Sequence, residues 1–304
     1  MSQAPPVGAP EAQAPPAKVR PGSKPGRTGT NPLLLLLPAL ALILGIFAYP
    51  LAESMWRSVS DPQLGTQNYE WFFGSSGNLA ILGRTLWIAL LSMLICLALA
   101  YPYAYLMVIA GPKARAALIV IVLIPFWTSL MIRSFAWIVL LQDSGLVNSF
   151  LGIIGLGPYN LIRNTTGVLI GMVQVLLPFM VLPLYSVMSG VDMRLVQAAQ
   201  SLGARPAVAF LRVFVPLSMP GVVSGCLLVF IQALGFYITP ALLGSPSEML
   251  ISQYIYMQVN QQLQWGRGGT LGVVLLVATL ILLGVLGLMM RRSRRLLGDR
   301  GKLL

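Results

Sequence analysis

Apolar residues in this chain fall in long unbroken runs rather than in stripes or alternations. A membrane-crossing helix needs about 20 mostly apolar residues. Six runs meet that length, at 33–52, 85–110, 116–141, 167–189, 217–243 and 270–290. Five hold no charged residue and the third holds one, Arg133. Leu, Val and Ile surround each run on all sides, as in helices bathed in lipid. The pattern predicts an all-α integral membrane protein of six transmembrane helices.

Lys and Arg set its orientation, because they gather on the cytoplasmic side. With the N-terminus inside, the inner segments hold fifteen of the 20 basic residues: the N-terminal tail to Arg27, Lys113 and Arg115, Arg194, Arg205 and Arg212, and the C-terminal tail from Arg291. The outer loops hold Arg57, Arg84, Arg163 and Arg267. Glu53, Asp61, Glu70, Asp143 and Glu248 also fall outside. Both termini are therefore expected in the cytoplasm. The net charge of +12 is first a topology signal, so no nucleic-acid partner is inferred from it.

Composition narrows the chemistry. Only 9 % of residues are charged and none is histidine, against about 25 % charged in soluble proteins. Without histidine there is no His-based acid–base catalysis, triad or His-ligated metal. The two cysteines, Cys96 and Cys226, lie inside apolar runs and suggest neither a metal cage nor a disulfide framework. No G-x-x-x-x-G-K-[ST] loop is present to cradle ATP phosphates. No buried carboxylate pair suggests a membrane-embedded enzyme, and no chain of intramembrane ion ligands or internal repeat suggests a secondary transporter. A transport function would draw its energy from another subunit.

Residues 1–32 carry 8 of the 22 prolines and are expected to form a disordered cytoplasmic tail, since such a segment buries too little to offset its ordering entropy. The apolar run behind it starts too late and is too long for a cleaved signal peptide. Residues 33–290 are expected to form the membrane domain, and 291–304 a basic cytoplasmic tail.

The loop between the fourth and fifth runs reads VDMRLVQAAQSLGARPAVAFLRVFVPLSMPG. Asp192 suits an N-cap, Gly203 the left-handed residue past a helix end, and Pro206 the first turn of a second helix. On the first helix, Met193, Val196, Ala199 and Leu202 are expected to share one face, with Arg194, Gln197 and Ser201 opposite. Composition alone leaves open an interfacial hairpin that merely joins two spans.

The spacing Ala198-Ala199, three residues, Gly203, nine residues, Val213, one residue, Val215-Pro216 resembles the E-A-A-x3-G-x9-I-x-L-P loop of importer permeases in the ATP-binding-cassette (ABC) superfamily. Gln197 stands where that family usually has Glu, Val213 where it has Ile, and Val215 where it has Leu. The stretch IPFWTSLMIRSFAWIVLLQDSGLVNSFL and the ending GFYITPALLG resemble the spermidine/putrescine branch. The resemblance covers nearly the whole chain after residue 32. It implies the type I importer permease fold (MetI-like) and a place in the bacterial inner membrane. It also implies that loop 192–213, through Arg194, Gln197, Ala198, Ala199, Gly203, Val213 and Pro216, couples to an ATPase. The implied partners are a homologous second permease, a cytoplasmic ATPase dimer, a periplasmic substrate-binding protein, membrane lipid and a small cationic solute. Polyamines lead as that solute, with opines or other amino compounds as alternatives. No cofactor or metal is implied.

Candidate pathway residues are Trp127, Arg133, Asp143, Tyr237 and Glu248. Aromatic faces attract ammonium groups and carboxylates pair with them. Each has a plainer reading: Trp and Tyr as belt or packing residues, and Arg133 as a snorkelling or carbonyl-anchoring group. Arg133 could instead gate the pathway or pair with Asp143, which would need a chain reversal. Gly235, Thr239 and Pro240 suggest either a flexible point near the outer end of the fifth run or simple packing.

Overall fold

The computed structural model describes residues 32–157 and 159–300. Most of the expected tail, residues 1–31, and the last four residues of the basic tail lie outside them. The chain divides into two units, Met1–Tyr49 and Pro50–Leu304. In the first, the helix Pro32–Ile43 runs into a π-helical turn at Leu44–Ala48. Its side chains from Leu36 onward are exposed, which suits a helix clad in lipid.

Among the described residues all regular structure is helical. Six helical runs are long and apolar enough to cross a membrane: Leu36–Ser60, Ser76–Ile109, Leu130–Ile153, Thr165–Met188, Pro206–Leu234 and Trp265–Gly284. They are called spans one to six below. Their bounds shift from the expected ones, and two of the expected runs are broken. The run 116–141 is not one helix, but Pro112–Leu123, a 3-10 turn Ile124–Trp127, and then Leu130–Leu141. Thr128 and Ser129 are extended between them. Pro125 has no N–H for the helical ladder and disfavours helix in the residue before it. The run 217–243 is also divided. Its helix begins at Pro206 and stops at Leu234, and Ile238–Leu243 is a separate short helix.

Spans two, four and five build the core. Span four contributes Met172, Leu176, Met180, Leu184 and Met188, all fully buried and four residues apart, so they form one seam along the helix. Small residues face it. Cys96, Ala100 and Ala104 of span two are likewise buried at a spacing of four. Gly221 and Gly225 of span five lie close to span four. A methyl on Gly225 would sit 2.7 Å from Met180 Sδ, and one on Gly221 would sit 3.2 Å from Leu184 Cα and from the Pro183 carbonyl oxygen. Lipid tails are as apolar as Leu, so close backbone approach and dispersion contacts hold such helices together.

Polar groups fasten the end of span six nearest Trp265. Asp61 Oδ2 accepts from Gly266 N–H at 3.0 Å, placing a carboxylate at the start of the helix Trp265–Arg300, where the dipole favours it. Asn68 Nδ2 donates to the carbonyls of Ser58 and Asp61. The Arg57 and Arg267 guanidiniums lie 5.3 Å and 4.7 Å from the ring centroids of Trp265 and Trp71.

Candidate functional site

The hairpin before span five is built by its capping residues. Asp192 Oδ1 accepts the Arg194 N–H at 2.9 Å and opens the helix Met193–Ser201. The end is closed by Leu202, Gly203 and Ala204 N–H groups, which donate to the carbonyls of Ala198, Gln200 and Ala199. Gly203 has φ +92°, a conformation that penalises any side chain. Arg205 then turns extended, and Pro206 opens the next helix.

One side of this hairpin is anchored. Val196 and Ala209 are buried in the same cluster as Met107 and Phe214, with Met193, Ala199 and Val213 packed against it. The Tyr105 ring meets those of Phe210 and Phe214 edge-on at 5.1 Å, and Phe210 stacks on Phe214 at 5.4 Å. The other side is open. Arg194, Gln197, Ala198, Gly203 and Pro216 are exposed, with Leu195 beside them.

Leu202 overturns its expected place. It is 89 % exposed rather than aligned with Met193, Val196 and Ala199. A strict spacing of three slips by about 60° per step on a helix of 3.6 residues per turn. Three steps carry Leu202 half a turn away from Met193. Leu202 thus joins the open face.

A second basic residue has a defined task nearby. Arg115 donates to the carbonyls of Met107, Val108 and Ala110 at 3.0–3.2 Å, closing the end of span two with a positive charge.

The five candidate pathway residues are dispersed. Trp127 is 76 % exposed at the end of the 3-10 turn ahead of span three. Arg133 is half-buried, and its Nε has no hydrogen-bond partner. Asp143 is exposed beyond the end of that helix. Arg133 and Asp143 are not paired in this structure: among the described residues the salt bridge is Arg57–Glu53. Ten residues of helix would separate the two by about 15 Å along the axis, and the turn after Leu141 does not bring Asp143 back. Glu248 Oε1 accepts from Thr165 Oγ1 at 2.9 Å, at the start of span four, while Oε2 is buried without a partner.

Tyr237 follows the break at Gly235, and its ring lies 5.1 Å from that of Tyr256 at 37°. Thr239 and Pro240 are buried, and Thr239 Oγ1 lies 3.3 Å from Ser134 Oγ. These two residues pack, and the bend falls at Gly235 and Phe236 instead. Tyr256, Gln253 and Gln261 line a cavity with Tyr237. They escaped the sequence reading because their segment is too polar for a span. Its signal was the run YIYMQVNQQLQ, where aromatic, thioether and amide side chains crowd together.

Six apolar helices, a short capped hairpin ahead of the fifth, and a small-residue core define a polytopic membrane protein, and its relatives show that the chain belongs to the ABC transporter permease family. It is 35 % identical over 225 residues to the spermidine/putrescine transport system permease protein PotB of Escherichia coli (strain K12), a match covering 73 % of this chain and 80 % of PotB. PotB of Haemophilus influenzae is 37 % identical over 195 residues, covering 63 % and 68 %. The inner membrane ABC transporter permease protein YdcU of Escherichia coli (strain K12) is 31 % identical over 211 residues, covering 65 % and 67 %. No family model matches the chain. A chain of a bacterial alginate ABC transporter, solved in complex with an alginate pentasaccharide-bound periplasmic protein, shares the fold. The TM-score is 0.70 at 22 % identity, over 86 % of this chain and 93 % of that one. The chain is accordingly a non-catalytic transport component of the inner membrane.

Proposed function

We propose that this chain forms half of the translocation pathway of an ATP-driven, binding-protein-dependent importer of polyamines such as spermidine and putrescine. Its termini lie in the cytoplasm, where loop 192–213 docks on a separate ATPase dimer. A homologous permease forms the other half, and a periplasmic binding protein delivers the solute. The observation that carries the coupling role is the hairpin itself, anchored on one side and open on the other, with Gly203 held at φ +92°. Relatedness to PotB supports the solute class.

In this mechanism ATP closes the ATPase dimer, and the hairpin transmits the motion because its buried side is fused to the core. Val196, Ala209 and Phe214 move as one body with span five, so a displacement of the open face becomes a displacement of the helix. Arg194, Gln197, Ala198 and Gly203 carry the contact, Ala199 seats the helix on the core, and Val213 and Pro216 fix the join to the span. Gln197 offers hydrogen bonds where a Glu would offer an ion pair. Entry of a cation is aided by the membrane potential, worth about 2.3 kcal/mol per charge per 100 mV, and ATP supplies directionality.

The test is ATP-dependent uptake into proteoliposomes holding the full complex with its binding protein. Labelled putrescine and spermidine are compared with an opine and a neutral amino acid, beside a Gly203→Asp variant. Saturable polyamine uptake, lost in the variant, is the expected result. Uptake of the opine alone would discard the polyamine and keep the importer. Undiminished transport by the variant, or transport without the ATPase, would overturn the mechanism.

A further inference from the structure

The break that ends span five opens a small cavity of about 160 Å³. Span five measures on the order of 40 Å from Pro206 to Leu234 at 1.5 Å rise per residue, so this cavity and the coupling hairpin lie at opposite ends of it. Two rings form part of the wall: Tyr237, at the start of the short helix Ile238–Leu243, and Tyr256, at the end of Ile251–Tyr256. Gln253, Gln261, Met249 and Met257 complete most of the rest. Gln253 is pinned, since its Oε1 accepts the Leu250 N–H at 2.7 Å.

None of these lining groups is charged. Two aromatic rings, the Gln261 amide and thioether sulfurs offer partial negative charge without a carboxylate, the Gln253 oxygen being engaged by Leu250. That combination attracts an ammonium group through ring quadrupoles and carbonyl dipoles, and the methionine stems accept methylenes. An anion would find no cationic side chain in the lining and would be repelled by the ring faces. The surrounding charges nearly cancel: Glu248 precedes Met249, and Arg84 Nη1 donates to the Met249 carbonyl at 3.5 Å from the adjoining cavity. Attraction therefore comes from the lining and stays weak, as passage requires. Drug-sized ligands occupy pockets of about 300–1,000 Å³, so this one suits a single ammonium end with its neighbouring methylenes.

We propose that Tyr237 and Tyr256, with Gln253 and Gln261, form a subsite for the alkylammonium end of the transported solute. This rests on the reading that the solute is a small aliphatic amine, and it assigns the selectivity of this subunit to a packed pair of aromatic rings rather than to a carboxylate.

Uptake kinetics of the complete reconstituted transporter test it, using labelled putrescine and spermidine with Tyr237→Leu, Tyr256→Leu and the matching Phe variants. Co-purification with the ATPase and second permease verifies assembly of each. Loss of one ring is expected to raise the KM for uptake about 2- to 30-fold, the range that a cation–π contact represents, and Phe is expected to restore most of it. If polyamine uptake proceeds with unchanged KM in both Leu variants, the subsite is wrong while the polyamine reading stands. Equal damage by Phe and Leu also overturns it, since the rings would then act only through their hydroxyls or their packing. If the unaltered transporter carries only a neutral or anionic solute, the polyamine reading fails and the subsite falls with it.

Discussion

Tyr101 and Ser218 share a hydrogen bond of 2.8 Å that ties span two to span five. Ser218 has one hydroxyl proton and donates it to the Val215 carbonyl at 2.9 Å, so Tyr101 is the donor to Ser218. The Tyr101 ring also meets Phe210 edge-on at 6.3 Å. The base of the hairpin is thus held by one polar and several aromatic contacts. Tyr101→Phe keeps the ring and is expected to cost about 1 kcal/mol, the net worth of one hydrogen bond. Tyr101→Leu also removes the aromatic edge and is expected to cost roughly 0.5–1.5 kcal/mol more. Thermal unfolding of the purified subunit checks the order, and equal losses would mean the ring carries nothing.

Gly203 separates backbone strain from crowding. No heavy atom lies within 4 Å of a methyl placed there, so a substitution meets only the penalty of φ +92°. For an ordinary residue that penalty is about 1–2 kcal/mol, and Asn tolerates the left-handed region better. Gly203→Asn is therefore expected to retain more ATP-dependent uptake than Gly203→Ala, although Asn is the larger residue. The reverse order would indicate that bulk against a docked partner, rather than hairpin geometry, controls transport.

Why the hairpin was legible in the sequence and the cavity was not has a physical basis. Asp192, Gly203 and Pro206 each act within a few residues of themselves, by capping, by left-handed φ and by a missing N–H, so residue type alone points to the turn. The spans were legible because lipid demands unbroken apolarity. The same demand conceals where such a run breaks. Thr128 and Ser129, or Gly235 and Phe236, interrupt a helix without interrupting the hydrophobic run, and Pro125 was the one local cue at the first break. The pairing of Tyr237 with Tyr256 spans nineteen residues and two helix ends. No periodicity carries that distance. Leu202 was misplaced for another reason, since a spacing of three approximates a helix face for one step and fails by the third.

Gly266 controls the fastening of span six. A methyl there would come within 2.1 Å of the Asp61 carbonyl oxygen and 2.7 Å of Asn68 Nδ2. The first is backbone and cannot rotate away. Gly266→Ala is expected to destabilise by about 1–3 kcal/mol, as overpacking does. Asp61→Asn keeps an acceptor for the Gly266 N–H and loses the charge at the helix start, worth about 0.3–1 kcal/mol. Thermal unfolding in detergent should therefore rank Gly266→Ala well below Asp61→Asn. A silent Gly266→Ala would show that this end of span six moves freely.

Arg133 and Asp143 offer the sharpest separation of an attractive pairing from the observed geometry. The guanidinium is half-buried with an unpartnered Nε, and the carboxylate is exposed on a turn beyond the helix end. Groups so placed share no partner, and their substitutions should add to within about 0.3–0.5 kcal/mol. Arg133→Gln and Asp143→Asn are thus expected to have independent effects on stability and on uptake, with the double variant equal to their sum. Arg133→Gln should be the costlier single change, because a half-buried Arg also packs its methylene stem. A double-mutant cycle in the assembled transporter is the measurement. A coupling above about 1 kcal/mol, a fivefold effect or more, would mean that the two charges meet in a state of the transport cycle in which the turn at Gln142–Gly145 folds back along the helix.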